Sequence, residues 1–337
     1  MSFTLGINLP WVDGEYDHDF GYNATRNPHI DYEPNPTFSK TNFDRYIKDI
    51  SEMGASVVRL WLFERFEGLE FSNSGAVTKY TDDILTNIQD ACKIASDHNI
   101  KFYFCLMDTW GILKKDLVNA KGDPRKKYAA QINGLITTKP KRDSFLNAVC
   151  NFLSDDVIKE SVWAVDVLNE PDGIQKEYTM TDKNRGEIDT GISFDQLVKY
   201  ITDACDTIRS KTGHKVSCGI RKEVFNQFAN KIKNHVDFFD IHHYDDEGNL
   251  PSITHLQKEC IVGECGKKDR ENRDDEKQKK AIGKFLRNAK NQGYSGCFVW
   301  EYGSTKKNEP LALINSDETH RSPVQEIKEF SRELYSC

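Results

Sequence analysis

Eight short apolar runs recur along the chain, and each is followed by a polar loop and then a segment of helical period. The runs are FTLGINL (3–9), SVVRLWLF (56–63), KFYFCLM (101–107), VWAVDVL (162–168), KVSCGI (215–220), VDFFDIH (236–242), CIVGE (260–264) and GCFVW (296–300). Their hydrophobicity is nearly continuous rather than alternating, the pattern of strands buried on both faces. Between them lie amphipathic stripes. Phe43, Tyr46, Ile47, Ile50 and Met53 form one, with Thr41 and Asp44 spaced as a capping box and Gly54 past its end. Ile84, Ile88, Ala91, Cys92 and Ala95 form a second. Phe194, Leu197, Val198, Ile201, Cys205 and Ile208 form a third, capped by Ser193 with Gln196 and stopped by Gly213. Ala281, Ile282, Phe285, Leu286 and Ala289 precede Gly293, and the last stripe opens on Ser322-Pro323.

Alternating strands and helices imply parallel pairing through right-handed crossovers, and eight such units predict a (β/α)8 barrel. The alternative is an open doubly wound sheet, whose first turn is glycine-rich. Here NLPWVDGEYDHDFG follows the first strand instead. No internal linker interrupts the rhythm, so residues 1–337 read as one domain. Loops 10–40, 108–142, 171–192 and 301–321 are long and polar, whereas those entering strands, such as 99–100 and 212–214, are short. In a barrel the long ones share the rim that carries chemistry.

Composition narrows the partners. The net charge of −7, with no basic stripe, argues mildly against a nucleic-acid role. No apolar run reaches the ~18 residues that span a membrane. The mixed-sign run 267–280 reads as solvated loop and helix face. Nine cysteines, without a CxxC pair, fall mostly inside apolar segments (Cys92, Cys105, Cys150, Cys205, Cys218, Cys297), as buried hydrophobes of a reducing compartment do. The first residues lack a basic stretch and a long apolar stretch. That leaves two expectations, a cytoplasmic protein or a secreted one whose signal has been removed.

The ends of the runs carry the chemistry. Strand two offers Arg59, strand three Asp108 with Trp110, and strand four Asn169-Glu170. Strand six offers His242 and Tyr244, strand seven Glu264, and strand eight Trp300 with Glu301. The tips of strands four and seven face each other across a barrel, so Glu170 and Glu264 form a pair. Paired carboxylates flanking a bond are what glycoside hydrolysis uses: one protonates the leaving oxygen, the other attacks the anomeric carbon. Arg59, His242 and Tyr244 would hold Glu264 anionic, and Asn169 can reach a sugar 2-hydroxyl. A metal set of Asp240, His242, His243 and Asp245 is disfavoured, because neighbouring residues alternate in direction. The same alternation turns His243 away from His242 and Tyr244. Trp163 reads as core, and Asp166 receives no role.

LNEPDG (168–173), DFFDIHHY (237–244), IVGECG (261–266) and FVWEYG (298–303), with MGASVVRLW (53–61), resemble strand signatures of retaining glycoside hydrolase barrels. The nearest resemblance is to glycoside hydrolase family 5, which includes cellulases and β-mannanases, and it runs over nearly the whole chain. It implies Glu170 as acid/base and Glu264 as nucleophile, with Arg59, Asn169, His242 and Tyr244 in support and Trp300 as a sugar platform. Many relatives carry a histidine after strand three where this chain reads LMDTWG, so Asp108 and Trp110 are expected to contact substrate differently. The implied activity is double-displacement cleavage of β-mannan- or β-glucan-type glycans by a monomer, without metal or cofactor. A transglycosylase on the same site and a carbohydrate-binding barrel without hydrolytic activity remain as alternatives.

Overall fold

The computed structural model describes residues 3–12, 19–22, 36–109, 124–175, 191–303 and 309–336. All eight expected strands are present: β1 (Thr4–Leu9), β2 (Val57–Trp61), β3 (Lys101–Cys105) and β4 (Val162–Asp166) in the first half. The second half supplies β5 in two pieces (Val216–Ser217 and Gly219–Arg221), β6 (Phe239–Tyr244), β7 (Cys260–Gly266) and β8 (Gly296–Val299). Every pairing among them is parallel. The hydrogen-bonded order starts on the first piece of β5, runs through β4, β3, β2, β1, β8, β7 and β6, and ends on the second piece of β5. The sheet therefore closes on itself, which makes it the (β/α)8 barrel expected.

The helices are α1 (Lys40–Glu52), α2 (Asp82–Asp97), α3 (Pro124–Thr137), α4 (Lys139–Leu153), α5 (Asp156–Ser161), α6 (Phe194–Thr212), α7 (Phe225–Ile232), α8 (Asp275–Asn291) and α9 (Ser322–Tyr335). The capping box of Ser193 and Gln196 forms on α6, and Gly213 takes the left-handed conformation (φ 74°) that ends it. For α1 the expected box at Thr41 and Asp44 is wrong by one turn edge. The helix starts at Lys40, so Ser39 is the cap and accepts from the Asn42 amide.

Three further corrections concern connections. The stretch 108–142, expected as loop, contains α3, whose Ala129, Ile132, Leu135 and Ile136 are buried at helical spacing behind a polar, lysine-rich start. After β2 the chain forms an antiparallel hairpin, Leu69–Phe71 with Val77–Tyr80, before reaching α2. Between β6 and β7 residues 245–259 make turns and no helix, with Gly248 at φ 61° and Pro251 breaking any helical run.

Two cores result. The larger lies between the barrel and its helices. The smaller fills the lower barrel interior with Val57, Tyr103, Ala164, Phe238, Ile261 and Phe298, against which the half-buried Trp163 packs. Side chains two residues further along a strand point into the same interior one layer higher. There Val57 is succeeded by Arg59, Ala164 by Asp166, Phe238 by Asp240 and His242, and Phe298 by Trp300. Eight cysteines of the described residues are buried free thiols, as expected for small hydrophobes. No helix among the described residues is long and apolar enough to cross a membrane.

Candidate active site

Arg59 organises the upper layer. It is fully buried on β2, yet its guanidinium reaches residues of β1, β4 and β7 and the turn after β4. Nη1 donates to Asn8 Oδ1 at 3.0 Å and to Glu264 Oε1 at 2.8 Å. Nη2 donates to Asp166 Oδ2 at 2.7 Å and to Asn169 Oδ1 at 2.8 Å. Burial opposes its charge, but the surrounding groups, Asp166 and Glu264 among them, outweigh that and hold it firmly protonated. Asp166, which sequence left without a role, is its buried counter-charge. The other oxygen of Asp166 accepts the amides of Leu168 at 3.1 Å and Gly219 at 3.0 Å.

Glu170 lies four residues past the end of β4, in a left-handed conformation (φ 45°, ψ 63°) that an L side chain adopts only when its surroundings impose it. Its amide donates to Gly219 O at 2.8 Å, and its carbonyl accepts from Gly173 N at 2.9 Å and Thr109 Oγ1 at 3.0 Å. Arg221 of β5 clamps the following turn by pairing with buried Asp172. Burial pushes the Asp172 carboxyl up to about 6, against the pull of Arg221.

Glu264 stands on β7 just after a bulge: the register with β6 slips between Val262 and Glu264. The slip brings Glu264 level with His242. Tyr244 OH donates to Glu264 Oε2 at 2.7 Å, so both of its oxygens are held. His242 Nδ1 lies 3.0 Å from Glu170 Oε1 and 3.4 Å from Glu264 Oε1. A carboxylate oxygen of each glutamate and a ring nitrogen of His242 all fall within 4.8 Å of one another. The sequence-expected pair therefore meets.

Two carboxyls this close titrate as one unit. Burial is the largest influence on both; it leaves the Glu264 carboxyl raised, while the His242 hydrogen bond and charge draw Glu170 below the ordinary carboxylate value. The permanent guanidinium of Arg59 and the Tyr244 hydroxyl both end on Glu264.

A cavity of about 400 Å³ opens above the pair. Trp11, Trp61 and Trp300 wall it on the β8–β1–β2 side, with ring centroids 5.8, 6.0 and 5.9 Å apart. Trp11 Nε1 donates to buried Glu64 Oε1 at 3.1 Å. Asn169, Tyr244, Arg270, Glu271, Glu301 and Glu309 line the remainder.

Most of the expected residues converge here, with instructive departures. Asp108 is buried behind Asn169, whose Nδ2 reaches Asp108 Oδ1 at 3.4 Å, and its carbonyl takes the Tyr128 hydroxyl at 3.0 Å. Trp110 lies outside the described residues. His243 turns outward as expected, beside Lys222 Nζ at 3.1 Å and the ring of Phe285. Asp245 caps a turn through the amides of Glu247 and Asn249. Asp240, His242, His243 and Asp245 thus do not converge on one point.

Sequence reasoning missed the cleft residues in 267–280. Arg270, read there as solvated, stacks over the Tyr244 ring at 4.8 Å and lines the cavity. Lys267 is fully buried and donates to the carbonyls of Asp269 and Asn272. The one signal that marked them was position, immediately past β7 on the catalytic rim. Glu64, Glu271 and Glu309 carried no signal that separates them from surface acids.

Residues 20–331 match the family model described as Cellulase (glycosyl hydrolase family 5). A curated mannan endo-1,4-beta-mannosidase of Mytilus edulis is 26% identical over 173 residues, and the match spans 51% of this chain and 40% of that protein. The chain thus covers less than half of that relative's length in sequence. Among solved structures, a β-mannanase from the blue mussel Mytilus edulis superposes with a TM-score of 0.68 at 18% identity, covering 98% of this chain and 92% of that one. A β-1,4-mannanase from the sea hare Aplysia kurodai gives 0.66 at 19% identity, covering 98% and 93%. These likenesses establish the fold, and the match over residues 20–331 establishes the lineage. The chain belongs to glycosyl hydrolase family 5.

Proposed function

We propose that the chain is a retaining β-glycoside hydrolase that cleaves β-1,4-linked mannan by double displacement, with residues 1–337 acting as one catalytic domain. The observation that carries this is the buried pair of Glu170 and Glu264, oxygens within 4.8 Å, with unequal partners. Retaining enzymes hold their carboxyl groups about 5–5.5 Å apart, and inverting ones at least about 6.5 Å.

Glu264 is the nucleophile. Its carboxylate attacks the anomeric carbon while the glycosidic C–O bond breaks, the electron pair going to the leaving oxygen, which takes the proton of Glu170. Water then attacks the glycosyl ester, Glu170 removes its proton, and the bond to Glu264 breaks. Arg59 fixes Asn169 by its oxygen and Asp108 takes one amide hydrogen, which leaves the other as the donor for the sugar 2-hydroxyl. Trp300 is the platform under the sugar, and Trp11 and Trp61 extend it. The mannan preference is supported by the named activities of the similar proteins from the blue mussel, the sea hare and Eisenia fetida.

The test compares wild type, Glu170→Ala and Glu264→Ala on β-mannan, β-glucan and aryl β-mannoside, with product analysis to detect sugar transfer. Release of mannooligosaccharides by wild type alone is expected. Absence of any β-mannan cleavage, or full activity in Glu264→Ala, would overturn the reading.

A further inference from the structure

One buried carboxylate has no task in the chemistry above. Asp240 is completely enclosed on β6, two residues below His242. Its Oδ2 accepts from Tyr103 OH at 2.8 Å. Its Oδ1 faces His242 Nε2 at 3.7 Å, and neither of those two atoms has a hydrogen-bond partner among the described residues. Two glycines make room for this arrangement. A Cβ on Gly263 would collide with the Asp240 carboxylate, and one on Gly219 with the His242 ring and Asp166. Gly263 is also the residue at the β7 bulge that sets Glu264 level with His242. Two strands have thus given up side chains to admit a charged group where the layer below is apolar. Burying a carboxylate there is costly unless it serves a partner.

We propose that Asp240 is a positioning residue that holds His242 as an imidazolium, and that this cation is the shared counter-charge of Glu170 and Glu264 through both chemical steps. The proposal rests on the double-displacement reading. Nδ1 faces an oxygen of each glutamate, at 3.0 and 3.4 Å. At rest the negative charge is on Glu264 and the proton on Glu170. After the first step Glu264 is an uncharged ester and Glu170, its proton passed to the leaving oxygen, is the anion. The charge has moved from one side of the imidazolium to the other, so the ring stabilises both states without moving and keeps both its protons. Water attack reverses the shift.

Every element around the ring contributes. From β4, Glu170 faces it and Asp166 brings an oxygen within 4.8 Å of it and Asp240. Glu264 comes from β7, and β5 presents Gly219. Arg59 of β2 is bound to Asp166 and Glu264, Tyr103 of β3 to Asp240, and Tyr244 to Glu264. Burial works against a charge on His242, but Glu264, Asp240 and Glu170 outweigh it and lift its pKa to about 10.

The test is NMR of the full chain with ¹⁵N-labelled histidine, beside steady-state kinetics on β-mannan. Of the nine histidines, one should keep both ring nitrogens protonated at about pH 8, above the ordinary imidazole pKa, and that signal should vanish in His242→Gln. In Asp240→Asn it should titrate at least about one pH unit lower. The same variant should lose about tenfold or more in kcat with KM within about twofold. A role in packing alone would lower Tm and leave the ring's titration in place. A neutral His242 in wild type at pH 7, or an unmoved titration in Asp240→Asn, overturns the proposal. Should Asp240→Asn fail to fold, Tyr103→Phe should shift the same signal down by less, and no shift there overturns it equally. Loss of β-mannan cleavage in wild type would sink the hydrolase reading instead, and the histidine signal reads out independently of it.

Discussion

The lower and upper halves of the barrel interior are built by the same eight strands, yet their contents are opposite. Below, Val57, Tyr103, Ala164, Phe238, Ile261 and Phe298 meet ring against methyl, and Phe298 fills the space a side chain on Gly6 would need. One layer higher, Arg59, Asp166, Asp240, His242, Glu170 and Glu264 are just as buried. The lower layer is stabilised by area removed from water, roughly 25 cal/mol per Å². The upper layer draws little from that source and persists because its charges are mutually bonded. The contrast shows how a barrel separates folding from function over one strand repeat.

Arg59→Met should break the upper layer most severely. It leaves Asp166 and Glu264 buried without their cation, so a loss of about 3–5 kcal/mol in urea unfolding is expected, with activity abolished. Retained activity would show that the guanidinium is dispensable. Phe298→Ala should cost a comparable ~3–5 kcal/mol through the cavity it opens, yet leave kcat per folded molecule within a few-fold. A large kcat loss there would mean that the layers are coupled after all. Gly263→Ala sits at their boundary, where the new methyl meets Asp240. It should cost about 1–3 kcal/mol and reduce kcat together with it.

A further effect is on pH. The folded-state pKa of His242, about 10, lies above the ~6.5 of an unfolded chain. Its contribution to stability is therefore complete below about pH 6.5 and is lost as pH rises towards 10. Tm measured across that range should fall in wild type and fall less in His242→Gln. Equal slopes would place the neutral imidazole in the folded protein.

The same contrast explains what could be read from the sequence. The lower layer and the outer core supply continuous apolar runs, so all eight strands and the closed sheet were legible. Glu170, Glu264, Arg59, His242, Tyr244 and Asn169 were legible because each ends or interrupts such a run. Asp166 and Asp240 interrupt runs too, but an isolated acid inside a strand does not announce its partner. Gly219 and Gly263 look like ordinary strand glycines until the side chains they admit are placed. Arg270 and Lys267 were hidden in a run of alternating charge, where composition is the same for a solvated helix and a cleft wall. Helix α3 was obscured by its polar first turn, and Trp110 lies outside the described residues.

Double displacement through Glu264 is the central claim, and stereochemistry tests it most directly. Proton NMR of the first turnovers on a β-mannooligosaccharide reports the configuration of the newly formed reducing end before mutarotation. The β-anomer appearing first is the predicted result; the α-anomer appearing first would contradict it, because a single displacement by water would then have replaced the glycosyl ester.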